Sequence, residues 1–282
     1  MIFDKDLLHY RKRNAFAYYN QDGFYHRAVI RDTIERLSFF EKQFSKILWL
    51  NTPPFLYDIA EWHNFVQDKQ VQQIHHASFY PQIYPQDIAL IPIENSQDIV
   101  WSVPVGEYDA ILSPLGLHHV NDMKGFLQGV LSSLREDGVF IGSMVGEKVL
   151  GYFHHLLASL EIEEYDTYPH RIHPAVDVRM MGDVLQKLGF TLPVTDCFSL
   201  NMRYRHLGNI RQDVKNMGES RILTTPTFPI TKKIWQQVQQ KLQKDLFHHD
   251  TQKYHLDIDI ICVTGRKYAD IQQKPAKPLL GR

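Results

Sequence analysis

The chain has 282 residues, and 31 Lys plus Arg against 32 Asp plus Glu leave a formal charge of −1. At about 100–200 residues per domain this is one large domain or two small ones, and 44% apolar with 22% charged residues excludes disorder as the main state. So even a charge balance excludes the global basic excess with which a dedicated nucleic-acid binder captures phosphates.

No apolar run reaches the roughly 18–20 residues that span a bilayer, and the opening MIFDKDLLHYRKR lacks the basic-then-apolar order of a secretory signal. A cytoplasmic protein without a membrane span is expected. The two cysteines, Cys197 and Cys262, form no CxxC pair and suggest neither a disulfide framework nor a cysteine zinc site.

The first forty residues read as two helices. Asp4 can accept the free amides of a first turn, and Phe24, Ala28, Ile30, Ile34 and Leu37 recur near the helical period. Residues 1–45 are therefore expected to form a helical lid or packing layer. From Lys46 the pattern changes to short continuous apolar runs: Ile47 to Leu50, Ile88 to Ile91, Tyr108 to Leu112 and Val139 to Val145. Runs of this kind suit strands buried on both faces. Helical segments alternate with them, such as Met123 to Leu134, with Asp122 as N-cap and Gly138 as its expected stop. Strand and helix in alternation argue for parallel strands joined by crossover helices, an α/β doubly wound sheet.

Beyond residue 177 the sequence predicts a helix from Val178 to Leu188 behind Asp177, an apolar segment from Val194 to Tyr204, and a helix from Leu207 to Met217. Lys232 to Leu246, rich in Gln and Lys, reads as a solvated surface helix. In His255 to Gly265, Leu256, Ile258 and Ile260 alternate with Asp257 and Asp259, the period of an edge or antiparallel strand with one wet face. The main domain is thus expected over residues 46–268. Residues 269–282, proline-rich and polar, are expected to run extended as a tail.

Ligands of an open parallel sheet bind at the carboxyl ends of its strands. A nucleotide-type cofactor needs glycines after the first strand and an acidic group near the end of the second. Here the first loop reads Asn51, Thr52, Pro53, Pro54, Phe55, and His75 and His76 stand where the second strand should end. Two amide donors are absent, and an imidazole cannot match the paired charged contact of a carboxylate.

The segments FDKDLLHYRKR, YDAILSPLGLHHVND, LREDGVFIGSM, DVRMMGDVLQKLGFTLPVTD, MRYRHLGNIRQDVKNMGESRIL and QQKPAKP, in this order and spacing, resemble the methyltransferase-like family that includes the assembly factor of respiratory complex I. That family is itself related to the carrier-protein methyltransferase of biotin synthesis. The resemblance implies a Rossmann-like class I methyltransferase fold, mostly parallel and seven-stranded with the last strand antiparallel, and S-adenosylmethionine as cofactor. It further implies a protein substrate or assembly partner.

Where the family looks like LDLGCGTG, this chain has Leu48, Trp49, Leu50, Asn51, Thr52, Pro53, Pro54 and Phe55, and the tryptophan of the family's LHWVND is His119. The cofactor side would run past Asn51, Thr52, His76, Glu94, Ser113 and Leu115. Losing two or three hydrogen bonds of about 1–3 kcal/mol each weakens binding by roughly 3–6 kcal/mol. The disrupted residues cluster on cofactor contacts, whereas LHHVND and MGES stay near pattern. A partner-binding pseudoenzyme is therefore expected, with an active methyltransferase or arginine-modifying enzyme as the other reading.

His118, His119 and Glu219 are the candidate catalytic residues, the histidines on the turn after the fourth strand and Glu219 just beyond Gly218 on the substrate side. Adjacent histidines diverge on a helix and point to opposite faces of a strand. None of the four His-His pairs is therefore expected to chelate, and no metal site is assigned. His170 and His173, flanking Arg171, read either as a loop contact to substrate or, the favoured reading, as surface polarity, and Asp122 as a plain helix cap.

Overall fold

The computed structural model describes residues 2–50, 54–77, 89–91, 103–174 and 176–268. The elements in chain order are α1 (Lys5–Asp22), α2 (Phe24–Ser38), β1 (Lys46–Leu50), α3 (Ala60–Asp68), β2 (Gln73–Ala77), β3 (Ala89–Ile91), β4 (Tyr108–Ser113), α4 (Met123–Ser133), β5 (Leu134–Val145), α5 (Glu147–Tyr165), α6 (Val178–Lys187), β6 (Thr191–Tyr204), α7 (Leu207–Asn216), α8 (Lys232–Leu246), β7 (Phe247–His248) and β8 (Lys253–Arg266). One sheet holds the strands in the order β3-β2-β1-β4-β5-β8-β6, with the two-residue β7 paired to β8 off this path. β1 to β5 pair in parallel, and β8 runs antiparallel to both β5 and β6. The order reverses at β1, between β2 and β4. Among the described residues no helix is long and apolar enough to cross a membrane.

The continuous apolar runs of β1, β4 and β5 are explained by burial on both faces, whereas β3, predicted as such a run, is the edge strand with Ala89 exposed and Leu90 and Ile91 half-buried. Ile47 and Trp49 of β1 join Ala110 and Leu112 of β4 against Ile30, Ile34 and Leu37 of α2 and Trp62 and Phe65 of α3. Leu48 and Leu50 point the other way, into a layer with Phe126, Leu127 and Val130 of α4 and Met181 and Leu185 of α6. Successive residues of a strand face opposite sides, so both sides must be covered when every residue is apolar. Trp49 lies edge-on to Trp62, ring centres 5.0 Å apart, and Trp62 stacks on Phe65 at 5.7 Å. α8 is a surface helix, as expected, held by a stripe of Ile234, Val238 and Leu242 against Leu156 and Leu160 of α5.

Two predicted boundaries are corrected. Gly138 does not stop α4. That helix ends at Ser133, β5 begins directly at Leu134, and the left-handed residue is Asp137, at φ 62°. Gly138 is needed for a different reason, since a Cβ there would stand 2.7 Å from the Arg135 carbonyl oxygen.

β8 is antiparallel as expected, but it is not an edge strand, and its predicted wet face is wet at Asp257 and dry at Asp259. It lies between β5 and β6, and Asp259 is buried. The Asp259 carboxylate accepts hydrogen bonds from the backbone amides of Lys148 and Val149, both 3.0 Å, and its carbonyl accepts from the Gly146 amide at 2.7 Å. Asp259 thereby caps α5 from across the sheet, a contact that strand periodicity cannot reveal.

Removing a helix N-cap carboxylate costs about 1–2 kcal/mol. In urea denaturation, Asp259→Ala is expected to lose at least that much stability. Asp257→Ala, which removes only the exposed pair with Arg203, is expected to change stability by under about 0.5 kcal/mol. Equal effects of the two substitutions would contradict the capping role.

Candidate functional site

β4 delivers the chain to the carboxyl edge of the sheet at Ser113. Leu115 then takes a left-handed conformation, φ 53°, and its amide donates to the Ser143 hydroxyl at 2.9 Å. A single 3₁₀ turn, Leu117–His119, follows before Val120 becomes extended. In so short a turn neither helical divergence nor strand alternation governs neighbouring side chains. The rings of His118 and His119 converge, with centres 3.9 Å apart. The expectation that adjacent histidines diverge is therefore corrected for this pair.

Glu219 arrives from α7. The Gly218 amide bonds the Lys215 carbonyl and the Glu219 amide bonds the Val214 carbonyl, both at 3.0 Å, the paired bonds of a glycine-closed helix end. Gly218 has φ +69°, and a Cβ there would lie 3.2 Å from Ala15 Cβ and from Lys12 Cα. Glycine thus serves both the turn and the close approach to α1. That approach brings Lys12 Nζ onto Glu219 Oε1, while Glu219 Oε2 lies 2.9 Å from His118 Nε2 and 3.4 Å from His119 Nε2.

Around this centre His173 lies edge-on to His119, ring centres 5.2 Å apart, and its Nε2 accepts from the Ile222 amide at 3.3 Å. The N-terminal segment closes the site. Phe3 sets its ring edge-on to His173 at 5.3 Å and to His119 at 6.2 Å. Asn121 holds this segment, its Oδ1 accepting from the amides of Ile2 and Phe3 and its Nδ2 donating to the Phe3 carbonyl. Asp4 donates its amide to Ile222, and Thr224 donates to Ile2, so the strap is fastened on both sides.

Burial alone would raise the Glu219 carboxyl. Lys12, His118 and His119 outweigh it and hold the group ionised, well below the usual carboxylate range. Burial, with His118 beside it, pushes the His119 imidazole well down. Burial and then Lys12 bring His26 to about 3, and burial with His118 brings His173 to about 4. The result is an ionised carboxylate held between Lys12 and a ring of imidazoles, enclosed at the edge of the sheet. Such a set can relay a proton or ligate a cation. Among the described residues, His118, His119 and Glu219 offer one ligand atom each, all within 4.8 Å of one another.

The structure brings all three predicted catalytic residues together. Asn51, Thr52 and Glu94 lie outside the described residues, as do Pro53 and the tail from residue 269. His76 is at the end of β2 as expected but wholly buried, its Nε2 2.8 Å from the Tyr57 hydroxyl, and burial lowers it to about 3. Ser113 and Leu115 are buried beside the histidine turn. Asp122 caps α4 through the Gly125 amide, as predicted.

The surface reading of His173 and Arg171 is corrected. His173 is buried in the site, and Arg171 bonds the buried Glu161 at 2.5 Å. Sequence reasoning missed Lys12 and His26. A histidine between Tyr25 and the apolar Val29–Ile30 face of α2 was the available signal for His26.

No family model matches the chain. It is 28% identical over 170 residues to the mitochondrial arginine-hydroxylase NDUFAF5 of Danio rerio, covering 60% of this chain and 53% of that protein. It is 31% identical over 124 residues to malonyl-[acyl-carrier protein] O-methyltransferase 1 of Coxiella burnetii, covering 40% and 41%. The chain spans about half the length of the curated relatives it matches. A solved structure assigned as a methyltransferase, from Bacillus halodurans, superposes with a TM-score of 0.54 at 12% identity, over 85% of this chain and 99% of that one.

The site carries two stability predictions. His26, His76 and His173 are neutral when folded and bind a proton near 6.5 when unfolded. The unfolded state therefore holds more protons between those values, so stability is full above about pH 6.5 and falls as pH drops toward 4. Each histidine contributes a slope of about 1.4 kcal/mol per pH unit there, and His76→Leu is expected to flatten the urea-midpoint profile over that range. An unchanged profile would contradict its buried neutral state.

Lys12→Met leaves Glu219 without its cation and is expected to cost about 3 kcal/mol, with much of the loss recovered in Lys12→Met/Glu219→Leu. Additive losses would show the pair to be uncoupled. The chain thus has the Rossmann-like fold of class I methyltransferases and is similar in sequence to the NDUFAF5 arginine-hydroxylases and to a carrier-protein methyltransferase.

Proposed function

We propose that this chain is a protein-modifying enzyme on a methyltransferase scaffold, acting on an arginine of a partner protein through Glu219, His118 and His119. The observation that carries the reading is the enclosed, ionised Glu219 at the carboxyl edge of the sheet. Burying a carboxylate costs several kcal/mol before its partners offset it. Apolar packing would hold α1 to α7 without it, and perturbed groups of this kind gather where chemistry is done. A carboxylate also attracts a guanidinium cation, and the NDUFAF5 relatives are named arginine-hydroxylases. In this reading His118 and His119 hold or move a proton at Glu219 Oε2, and the strap of residues 2–4 opens to admit the side chain.

The first loop favours a second component of the same reading, weak adenosyl binding. Pro53 and Pro54 supply no amide donors and no glycine stands between Asn51 and Phe55. A chain that only binds its partner would share this loop but would leave arginines untouched.

Two measurements separate these outcomes. Calorimetric titration with S-adenosylmethionine is expected to give a dissociation constant in the millimolar range, and micromolar binding would refute the weakened pocket. Peptide mass mapping of proteins that co-purify with the chain is expected to find an arginine carrying an added oxygen or methyl group with wild type and not with Glu219→Gln. Identical arginine masses with both would remove the catalytic reading.

A further inference from the structure

We propose that His118 Nε2, His119 Nε2 and Glu219 Oε2 form a binding site for one divalent first-row transition-metal ion. The inference deepens the reading of this cluster as the reacting centre and rests on it only for what the ion does, since the ligand geometry stands by itself.

Ligand atoms about 2.0–2.2 Å from an ion stand about 3.0 Å apart at neighbouring octahedral corners and about 3.4 Å apart at tetrahedral ones. Glu219 Oε2 lies 2.9 Å from His118 Nε2 and 3.4 Å from His119 Nε2. These two separations fit a common ion, and the three ligand atoms together lie within 4.8 Å of one another. A hydrogen bond from His118 to Glu219 would account for the first distance without any metal.

It does not account for His119. That side chain is 6% exposed, its Nε2 is enclosed, and among the described residues the atom has no hydrogen-bond partner. An enclosed ring nitrogen left without a partner is costly, and this one is 3.4 Å from the carboxylate oxygen that His118 also approaches. An ion bonded to all three would satisfy it.

Two imidazoles and one carboxylate are the ligand set that leaves coordination positions open for substrate and suits iron(II) and its neighbours. Magnesium and calcium, which prefer oxygen ligands, fit it poorly. The surroundings match a metal centre as well. Lys12 stays on Glu219 Oε1 and orients the carboxylate, leaving Oε2 for the ion, the kind of outer contact that fixes a ligand. Lys12 also places a like charge nearby, so the ion is held less tightly than in a closed structural site. The other adjacent pairs differ. His75 and His76 each pair with a tyrosine hydroxyl, Tyr108 and Tyr57, the ring centres of His154 and His155 stand 5.7 Å apart, and His248 stacks on His255, with no carboxylate completing any of these groups among the described residues.

The test is an anaerobic titration of the metal-stripped full chain with cobalt(II), read by its visible d–d absorption. One equivalent per chain is expected. His119→Phe and Glu219→Gln are each expected to weaken binding by about 100-fold, with folding checked by far-ultraviolet circular dichroism. His119→Gln replaces His119→Phe should the latter not fold. The paired changes His154→Ala/His155→Ala and His248→Ala/His249→Ala are expected to leave the titration unchanged.

Absence of cobalt absorption up to millimolar ion would overturn the proposal. So would binding that survives both His119→Phe and Glu219→Gln. A chain that binds cobalt at the cluster yet modifies no arginine keeps the site and removes the arginine reading, whereas arginine modification by a chain that binds no cobalt removes the site and keeps that reading.

Discussion

A carboxylate withdrawn from water must be given replacements for its hydration, and that requirement organises this molecule around Glu219. Lys12 supplies a cation from α1, His118 supplies a ring nitrogen from the turn after β4, and the glycine-closed end of α7 delivers the carboxylate between them. These groups come from positions 12, 118 and 219 and cannot meet until the sheet, the N-terminal helix and α7 are all in place. The centre is therefore a readout of the whole fold, and a substitution at Gly218 or Ala15 would disturb it without touching a charged group.

The fold supplies the place and the strap supplies the enclosure. Parallel strands end together at one edge of the sheet, where successive loops converge, and β4 and its histidine turn lie next to the reversal of strand order at β1. Asn121, adjacent to the helix cap Asp122, has a separate duty as the clasp for residues 2 and 3. The segment it holds carries Phe3 onto His119 and His173. α2 packs into the core, and α1 with the preceding strap covers the charged centre.

The layers of the fold were legible because their signals are local. Apolar runs at positions 47–50, 108–112 and 139–145 demand two covered faces, and Asp122 and Asp177 mark helix starts that the structure keeps. His118, His119 and Glu219 were reachable through position on a sheet edge and through resemblance in the LHHVND and MGES segments. Their convergence was not, because it depends on a 3₁₀ turn that no periodicity signals. Lys12 and Glu219 are 207 residues apart, and His173 reads as exposed because it stands beside Arg171 in a segment with no helical or strand periodicity. Asp259 was hidden for the opposite reason: alternation along β8 mimics a wet face, while the carboxylate in fact caps α5.

The convergence of His118, His119 and Glu219 on one point is the central claim, and anomalous diffraction tests it most directly. In crystals grown with cobalt(II) and measured at the cobalt absorption edge, the strongest anomalous peak is expected within bonding distance of both Nε2 atoms and of Glu219 Oε2, beneath the ring of Phe3. A map with no peak there, or with its peaks only at exposed histidines, would contradict the account and leave the cluster an ion pair that fastens α1 to the sheet.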